Sequence, residues 1–134
     1  MQKGTVENQQ EFQLCPIRNV LDGLGDKWTV LVIFRLKEKV HRFSELRRAI
    51  PDVSQRMLTQ TLRNLEQDGI VTRTVTPIIP PRVDYELTEL GKSLTEKLAP
   101  LAQWAALNLN VIYQARKDYQ SRGHHSQSEA SLKL

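Results

Sequence analysis

Cysteine is nearly absent from this sequence, since Cys15 is the only one among 134 residues. A single thiol cannot close an internal disulfide, and it cannot supply the thiolate set of a structural zinc site. The adjacent histidines His124 and His125 lack the other ligands of a metal site, so we expect neither a metal ion nor a cofactor. Stability must therefore come from the packing of apolar side chains.

Long apolar runs are also missing. No stretch of about 18 apolar residues exists to cross a bilayer, and residues 1–14 are polar and acidic, unlike a signal peptide. We therefore expect a cytoplasmic protein. At 134 residues the chain falls in the usual size range of one domain, and 40% apolar residues are enough for one modest core, so we expect no second, catalytic domain. The sequence shows no acid–base pair, activated nucleophile or phosphate-cradling glycine loop, so we do not expect an enzyme.

The net charge of +4 is concentrated in the middle of the chain. Residues 1–36 and 83–134 each carry equal numbers of basic and acidic side chains, whereas residues 37–82 carry nine basic and five acidic ones. Most of these basic residues are arginines, which suit phosphates and guanine edges. The favoured partner is therefore a polyanion, and the alternative is a mildly basic surface without one.

Apolar residues at helical spacing predict four helices before residue 70. Asp26 and Ser54 are suited to cap the second and fourth helices, and Gly25, Pro51 and Gly69 mark helix ends. The second helix is apolar on nearly all sides, so it must be central. The predicted helices cover residues 16–24, 27–36, 43–50 and 54–68, and residues 37–42 form a charged turn.

The pattern then changes to alternation, which predicts two strands, at residues 70–76 and 83–88. Thr88 is suited to cap a C-terminal helix that Pro100 should kink or divide. This order predicts an α+β fold that is mainly α-helical with a small β-hairpin, a winged helix-turn-helix. The predicted limits are a flexible leader at residues 1–13, the domain with its dimerisation helices at 14–116, and a disordered tail at 117–134.

The helix that starts at Ser54 has two chemically different faces, with leucines on one side and arginine and glutamine on the other. The second helix of a helix-turn-helix enters the major groove of DNA, where base edges require forked donors and amides. The polar face is therefore the candidate base-reading surface. The predicted core residues are Leu58, Leu62 and Leu65, and the predicted base contacts are Arg56, Gln60 and Arg63, flanked by Gln55 and Thr59.

Other arginines are placed to contact the DNA backbone. Arg82 ends a proline-rich loop between the two strands and is expected to enter a narrow groove with enhanced negative potential. Solvated surface charge is the alternative for each arginine taken singly, and Gln55 and Thr59 could simply complete the first helical turn. The predicted phosphate contacts are Arg42, Arg47, Arg48 and Arg73.

Several ordered motifs in this chain are similar to those of one known family. They are Cys15-Pro16, Lys27-Trp28, Phe43-Ser44-Glu45-Leu46, the run from Ser54 to Thr59, the run from Pro80 to Tyr85, and Leu87-Thr88, with Leu21 and Gly25 between them. Over about residues 14–107 the chain resembles the HxlR-type regulators. The resemblance implies a homodimeric winged-helix repressor or activator of bacteria, related in architecture to the MarR group. It also implies that the helix from Ser54 reads DNA and that the hairpin with Arg82 is the wing.

Apolar residues outside the predicted core suggest a dimer. They exceed what a core of this size can bury, so we expect an isologous two-fold contact that sets two reading helices about 34 Å apart on an inverted-repeat operator. The alternative is that they cover the core of their own subunit. The predicted interface residues are Ile17, Leu21, Leu98, Leu101, Trp104, Leu107, Val111 and Ile112.

Cys15 precedes Pro16, a residue favoured at the first helical position, and lies near Arg18. Unpaired amides and a nearby cation favour the thiolate, which reacts with oxidants and electrophiles. Several members of the resembled family use a cysteine at this position for such sensing. We therefore interpret Cys15 as a candidate redox or electrophile sensor, and the alternative is an inert, half-buried thiol.

Together these features predict a sequence-specific, DNA-binding transcription regulator that acts as a homodimer, with repression favoured over activation. Its predicted partners are double-stranded DNA, a second copy of the chain and a small oxidant or electrophile. The competing hypothesis is a winged helix used as a protein-interaction module without sequence-specific DNA binding.

Overall fold

The structure, a computed structural model, describes residues 16–132, with side chains described as far as residue 123. Cys15 and the leader predicted at residues 1–13 lie outside this range, and so do the side chains of His124 and His125. The elements are α1 (Pro16–Leu24), α2 (Lys27–Glu38), β1 (His41–Arg42), α3 (Phe43–Ala49), α4 (Gln55–Gln67), β2 (Val71–Thr76), β3 (Arg82–Leu87) and α5 (Glu89–Leu132). The predicted α+β winged helix-turn-helix is confirmed, and each predicted helix and strand is present.

Helix α2 lies at the centre of the core, as its sequence predicts. The Asp26 carboxylate accepts a hydrogen bond from the Trp28 backbone N–H at 3.1 Å, so this residue caps the helix. Val32, Ile33 and Leu36 are buried. The core is completed by side chains from α3, the following turn, α4 and the sheet, namely Leu46, Ile50, Val53, Leu58, Leu62, Leu65, Val71, Tyr85 and Leu87.

The sheet contains a third strand that the sequence analysis missed. Its order is β1-β3-β2, and both pairings are antiparallel. The predicted charged turn at residues 37–42 is therefore too long at both ends, because residues 37 and 38 continue α2, and His41 and Arg42 pair with Tyr85 and Asp84. His41 is only 5% exposed. A strand of two residues is too short to show alternation, so only its pairing partner reveals it.

Register decides which side chains share a face of the sheet. Residues directly opposite each other in an antiparallel pair project to the same face, and Arg73 is opposite Tyr85. Since Tyr85 is buried, Arg73 lies on the face that carries core residues. Arg82 lies three positions before Tyr85 along β3, and because side chains alternate between faces, this odd separation places Arg82 on the other face.

Helix α5 begins at a cap and continues without interruption through Pro100 to Leu132. The Thr88 hydroxyl accepts from the Gly91 backbone N–H at 3.1 Å, which confirms the predicted cap. The helical backbone beyond residue 116 differs from the disordered tail expected there. Residues 117–132 contain no proline, and Gln114 bonds to Asp118 one turn later at 3.1 Å, which favours helix. The domain limits drawn from the sequence remain a prediction.

The chain divides after Thr95 into two compact units. In the first unit α1 has no buried residue, and Ile17 is 69% exposed. In the second unit the helix exposes apolar side chains along much of its length, and Leu107 is 82% exposed. Across the described residues, no helix combines the length and hydropathy needed to cross a membrane.

Candidate nucleic-acid interface

Helices α3 and α4 form the helix-turn-helix. Helix α3 ends at Ala49, the Val53 backbone N–H donates to the Ile50 carbonyl at 3.2 Å, and α4 begins at Gln55. The Ser54 hydroxyl accepts from the Met57 backbone N–H at 3.1 Å, so the predicted cap is confirmed. Both ends of the short connection are therefore held by hydrogen bonds, which fixes where α4 starts.

A glycine fixes the other end of α4. Gly69 has a φ of 73°, a backbone conformation that residues with a side chain rarely adopt. Its N–H donates to the Glu66 carbonyl at 3.1 Å, and the Ile70 N–H donates to the Leu65 carbonyl at 2.9 Å. This is the Schellman arrangement, and it leads the chain directly from α4 into β2.

The two faces of α4, the recognition helix, are separated as the sequence predicts. Leu58, Leu62 and Leu65 are buried, together with Thr61. Thr59 is half-buried on the flank. The predicted base contacts and their other neighbour are exposed, namely Gln55, Arg56, Gln60 and Arg63.

The polar side chains of α4 differ in whether they already make hydrogen bonds within the chain. The Gln60 amide donates to the Asn64 side chain at 2.9 Å, and the Thr59 hydroxyl donates to the Gln55 carbonyl at 2.8 Å. Within residues 16–123, by contrast, no hydrogen bond or ion pair involves the guanidinium groups of Arg56 and Arg63. These two side chains can donate to a ligand without first breaking an internal contact.

Arg63 and Arg73 line one open groove between α4 and the sheet. Thr59, Glu66 and Tyr85 contribute to the same groove. Sequence reasoning treated Tyr85 only as a strand residue and did not consider Glu66. The alternation along β2 and β3 was the available signal for Tyr85, because it places this tyrosine on the face of Arg73 once the register is known.

At the wing, Arg82 is held by its own strand. Its Nε donates to both carboxylate oxygens of Asp84, at 3.0 and 3.2 Å. Both side chains keep some exposure, and the terminal nitrogens of the guanidinium are left for other acceptors. Arg42 is exposed and is opposite Asp84 across the β1–β3 pair, so it shares a sheet face with Arg82.

Arg47 and Arg48 are exposed at the end of α3, where they line a shallow depression with Ser44 and Pro51. This depression and the groove beside α4 have no lining residue in common. The structure therefore groups the predicted DNA contacts into three sets, one on α4 and β2, one on α3, and one formed by Arg42 and Arg82. Among the described side chains, no cluster of histidine, cysteine, aspartate or glutamate could hold a metal ion.

The start of α3 is stabilised by Glu45. Its carboxylate accepts from the Arg42 backbone N–H at 3.1 Å and lies 3.5 Å from the Lys39 ammonium. The Arg42 hydrogen bond, and to a smaller extent Lys39, holds the pKa of Glu45 below its ordinary value. This carboxylate links the loop before β1 to the first turn of the helix-turn-helix.

Replacing Glu45 by glutamine is expected to lower stability at neutral pH and to matter less in acid. Because the pKa of Glu45 is lowered in the folded state, the ionised group stabilises the fold above its unfolded pKa, and this contribution is lost as the pH falls through the lower folded value. Urea unfolding of wild type and Glu45→Gln at pH 7 and near pH 3 measures the effect. The difference between them should shrink in acid. Glu86→Gln is the control, and an equal pH dependence for both variants would contradict the assignment.

A family model described as an HxlR-like helix-turn-helix matches residues 23–113, a range that contains the capped turn, the recognition helix and the wing. The chain belongs to the HxlR-like helix-turn-helix family. It is a transcriptional regulator with a helix-turn-helix domain, and the family predicted from the sequence motifs is confirmed. An uncharacterized HTH-type transcriptional regulator, YtfH of Escherichia coli strain K12, is 47% identical over 104 residues, which are 78% of this chain and 82% of that protein.

Solved structures of two regulators are similar to this HxlR-like chain. The redox regulator HypR in its reduced form is 39% identical with a TM-score of 0.70, and the match covers 74% of this chain and 98% of HypR. The reduced form of the transcriptional regulator YodB from B. subtilis is also 39% identical, with a TM-score of 0.63, covering 68% of this chain and 90% of YodB. At this level of identity the likeness extends to the family as well as to the fold.

Proposed function

We propose that this regulator binds an inverted-repeat DNA operator sequence-specifically as a homodimer, with repression favoured over activation. The observation that carries the proposal is the exposed face of α4, the second helix of the helix-turn-helix, where the guanidinium groups of Arg56 and Arg63 make no hydrogen bond or ion pair within residues 16–123. Forked guanidinium donors at this position match guanine edges in a major groove.

The remaining predicted contacts have distinct proposed roles. Gln60 and the flanking Gln55 and Thr59 contact base edges next to the two arginines, and the Gln60 amide must exchange its bond to Asn64 to do so. Arg82, oriented by Asp84, enters the adjacent minor groove. Contacts to the phosphate backbone come from Arg42, Arg47, Arg48 and Arg73, all of which are exposed.

The proposed dimer contact is supported by apolar exposure in each of the two units. A side chain such as Leu107, at 82% exposure, contributes little burial to its own subunit, and hydrophobic burial at about 25 cal/mol per Å² favours covering it. Two-fold contacts are the commonest way to do so in soluble oligomers. The proposed interface residues are exposed or half-buried in the chain alone, namely Ile17, Leu21, Leu98, Leu101, Trp104, Leu107, Val111 and Ile112.

In vitro selection from random DNA duplexes tests the proposal, followed by affinity measurements at several salt concentrations. We expect an inverted repeat to be enriched and the affinity to fall steeply with salt. Sedimentation of the complex should give two chains per duplex. A winged helix that serves only as a protein-interaction module would enrich no sequence and would show no such salt dependence, so that outcome would overturn the proposal.

We further propose that Cys15 is the site at which oxidants or electrophiles act on this regulator. The similarity to a protein described as a redox regulator supports this idea. Diamide removes two electrons from two thiols and joins them as a disulfide. Since each chain has one cysteine, the bond would link two copies, or one copy to a small thiol.

Cys15→Ser is therefore expected to keep DNA affinity and to lose its response to diamide. An electrophoretic shift with and without diamide, run beside a non-reducing gel, measures both properties. If the serine variant is released from DNA by diamide as readily as wild type, Cys15 is an inert thiol.

A further inference from the structure

The tip of the wing is apolar and fully presented to solvent. Residues 77–81 connect β2 to β3, and this segment, the wing tip, has the sequence Pro-Ile-Ile-Pro-Pro. Ile79 has a relative exposure of 101%, and Ile78 is also more than half exposed. Covering a fully exposed isoleucine with a binding partner is favourable, because apolar surface is then removed from water.

The wing tip is restrained in the shape that presents Ile79. Three of its five residues are prolines, whose rings fix φ and remove backbone freedom. The Ile78 backbone N–H donates to the Thr76 carbonyl at 2.9 Å, and Thr76 pairs with Arg82 at the base of the loop. A side chain held in this way loses little conformational entropy when it binds.

The hairpin has no net charge to attract DNA, apart from the individual contacts proposed for Arg73 and Arg82. Residues 71–87 contain two arginines and two acidic residues, and one of those acids, Asp84, is paired with Arg82. The wing tip itself has no charged residue, so nothing in it repels phosphates. Net charge therefore contributes little to binding of the wing in a groove, and the exposed aliphatic surface of the tip can add to the contact that Arg82 makes there.

We infer that Ile79 is an apolar wedge that enters the minor groove beside Arg82 and inserts partly between two base pairs. This inference rests on the proposed DNA-binding function. Isoleucine is one of the side chains that minor-groove proteins use in this way, and the cost of unstacking is lowest at flexible pyrimidine–purine steps. The wedge would thus add a sequence preference at a position where no hydrogen bond is made to a base.

The test uses the full chain and the duplex obtained by in vitro selection, with 2-aminopurine placed in turn at the steps that face the wing. Wild type should raise the 2-aminopurine fluorescence at one step, because the base loses its stacking partner. Ile79→Ser should abolish that rise and weaken binding about tenfold, since isoleucine burial is lost while the unstacking cost is spared. The dependence of affinity on salt should not change, because no charge is removed.

Ile79→Lys separates a wedge from a tip that merely lies near phosphates. If Ile79 inserts between base pairs, Ile79→Lys loses the rise in 2-aminopurine fluorescence and the preference for one base step, although its affinity depends more steeply on salt. If the wing tip only lies near phosphates, Ile79→Lys binds every sequence more tightly and leaves the 2-aminopurine fluorescence unchanged. The second pattern would overturn the inference. So would unchanged binding by Ile79→Ser together with no rise in fluorescence for wild type, which is the result expected if the tip contacts a protein partner instead of DNA. Failure of wild type to select any sequence would instead overturn the proposed function.

Discussion

Arg63→Ala is expected to weaken binding to the selected duplex by about tenfold to a hundredfold and to relax the base preference at one position of each half-site. This is the effect of losing one bidentate contact to guanine, worth about 1–3 kcal/mol. The structure supports a base-reading role because Arg63 is exposed on the recognition helix, and among the described side chains none bonds to its guanidinium. Affinity for the selected duplex and for its single-position variants measures both effects.

Arg48→Ala is the matched comparison, since it removes the same side chain from the helix before the turn. It should weaken all duplexes alike and reduce the salt slope by about one unit, as expected for a phosphate contact. Arg63 and Arg73 line the same groove. The alternative to base contact is therefore that both arginines bind one phosphate of the DNA backbone. Uniform weakening by Arg63→Ala across all sequences would show that alternative to be correct.

Gly91→Ala is expected to lower the free energy of unfolding by about 2–3 kcal/mol. Gly91 is buried in the first turn of α5, and an added Cβ would overlap the backbone carbonyl oxygen of Ile70. That oxygen accepts a hydrogen bond from the Thr88 backbone N–H at 3.0 Å and lies 3.1 Å from the Thr88 hydroxyl, whose nearer acceptor is the Gly69 carbonyl at 2.6 Å. Overpacking and damage to the helix cap together outweigh the higher helix propensity of alanine, which is about 1 kcal/mol.

The control for this prediction is Gly123→Ala, where an added Cβ meets no heavy atom within 4 Å. That variant should be neutral or slightly stabilising because it changes helix propensity without a clash. Urea unfolding of both variants measures the difference. Equal stability of Gly91→Ala and wild type would mean that the carbonyl of Ile70 can move at no cost, contrary to the tight packing of this junction.

Helix positions and caps were predictable because their causes are local. Ser54 and Thr88 cap helices through bonds to residues three positions later, and Gly69 ends α4 through its own positive φ. The division of α4 into a leucine face and an arginine face follows from a period of about 3.6 residues. The candidate base contacts on this helix therefore required no knowledge of the rest of the fold.

The predicted wing was correct in position but incomplete in structure. β1 has two residues and carries no periodic pattern, so its pairing with β3 and the burial of His41 depend on a strand more than 40 residues away. The contrast between Arg73, on the face of Tyr85, and Arg82, bonded to Asp84 on the other face, required the register.

By itself the sequence determined the helices, the two longer strands and the two faces of the recognition helix, because those depend on interactions between residues close in the chain, and its ordered motifs identified the family. Only the tertiary structure decided which arginines share a groove or a sheet face, that a third strand completes the sheet, and that Ile79 is the most exposed point of the wing. These features depend on contacts between segments that are distant in the chain, and a local pattern of apolar and polar residues does not show which distant segments pair.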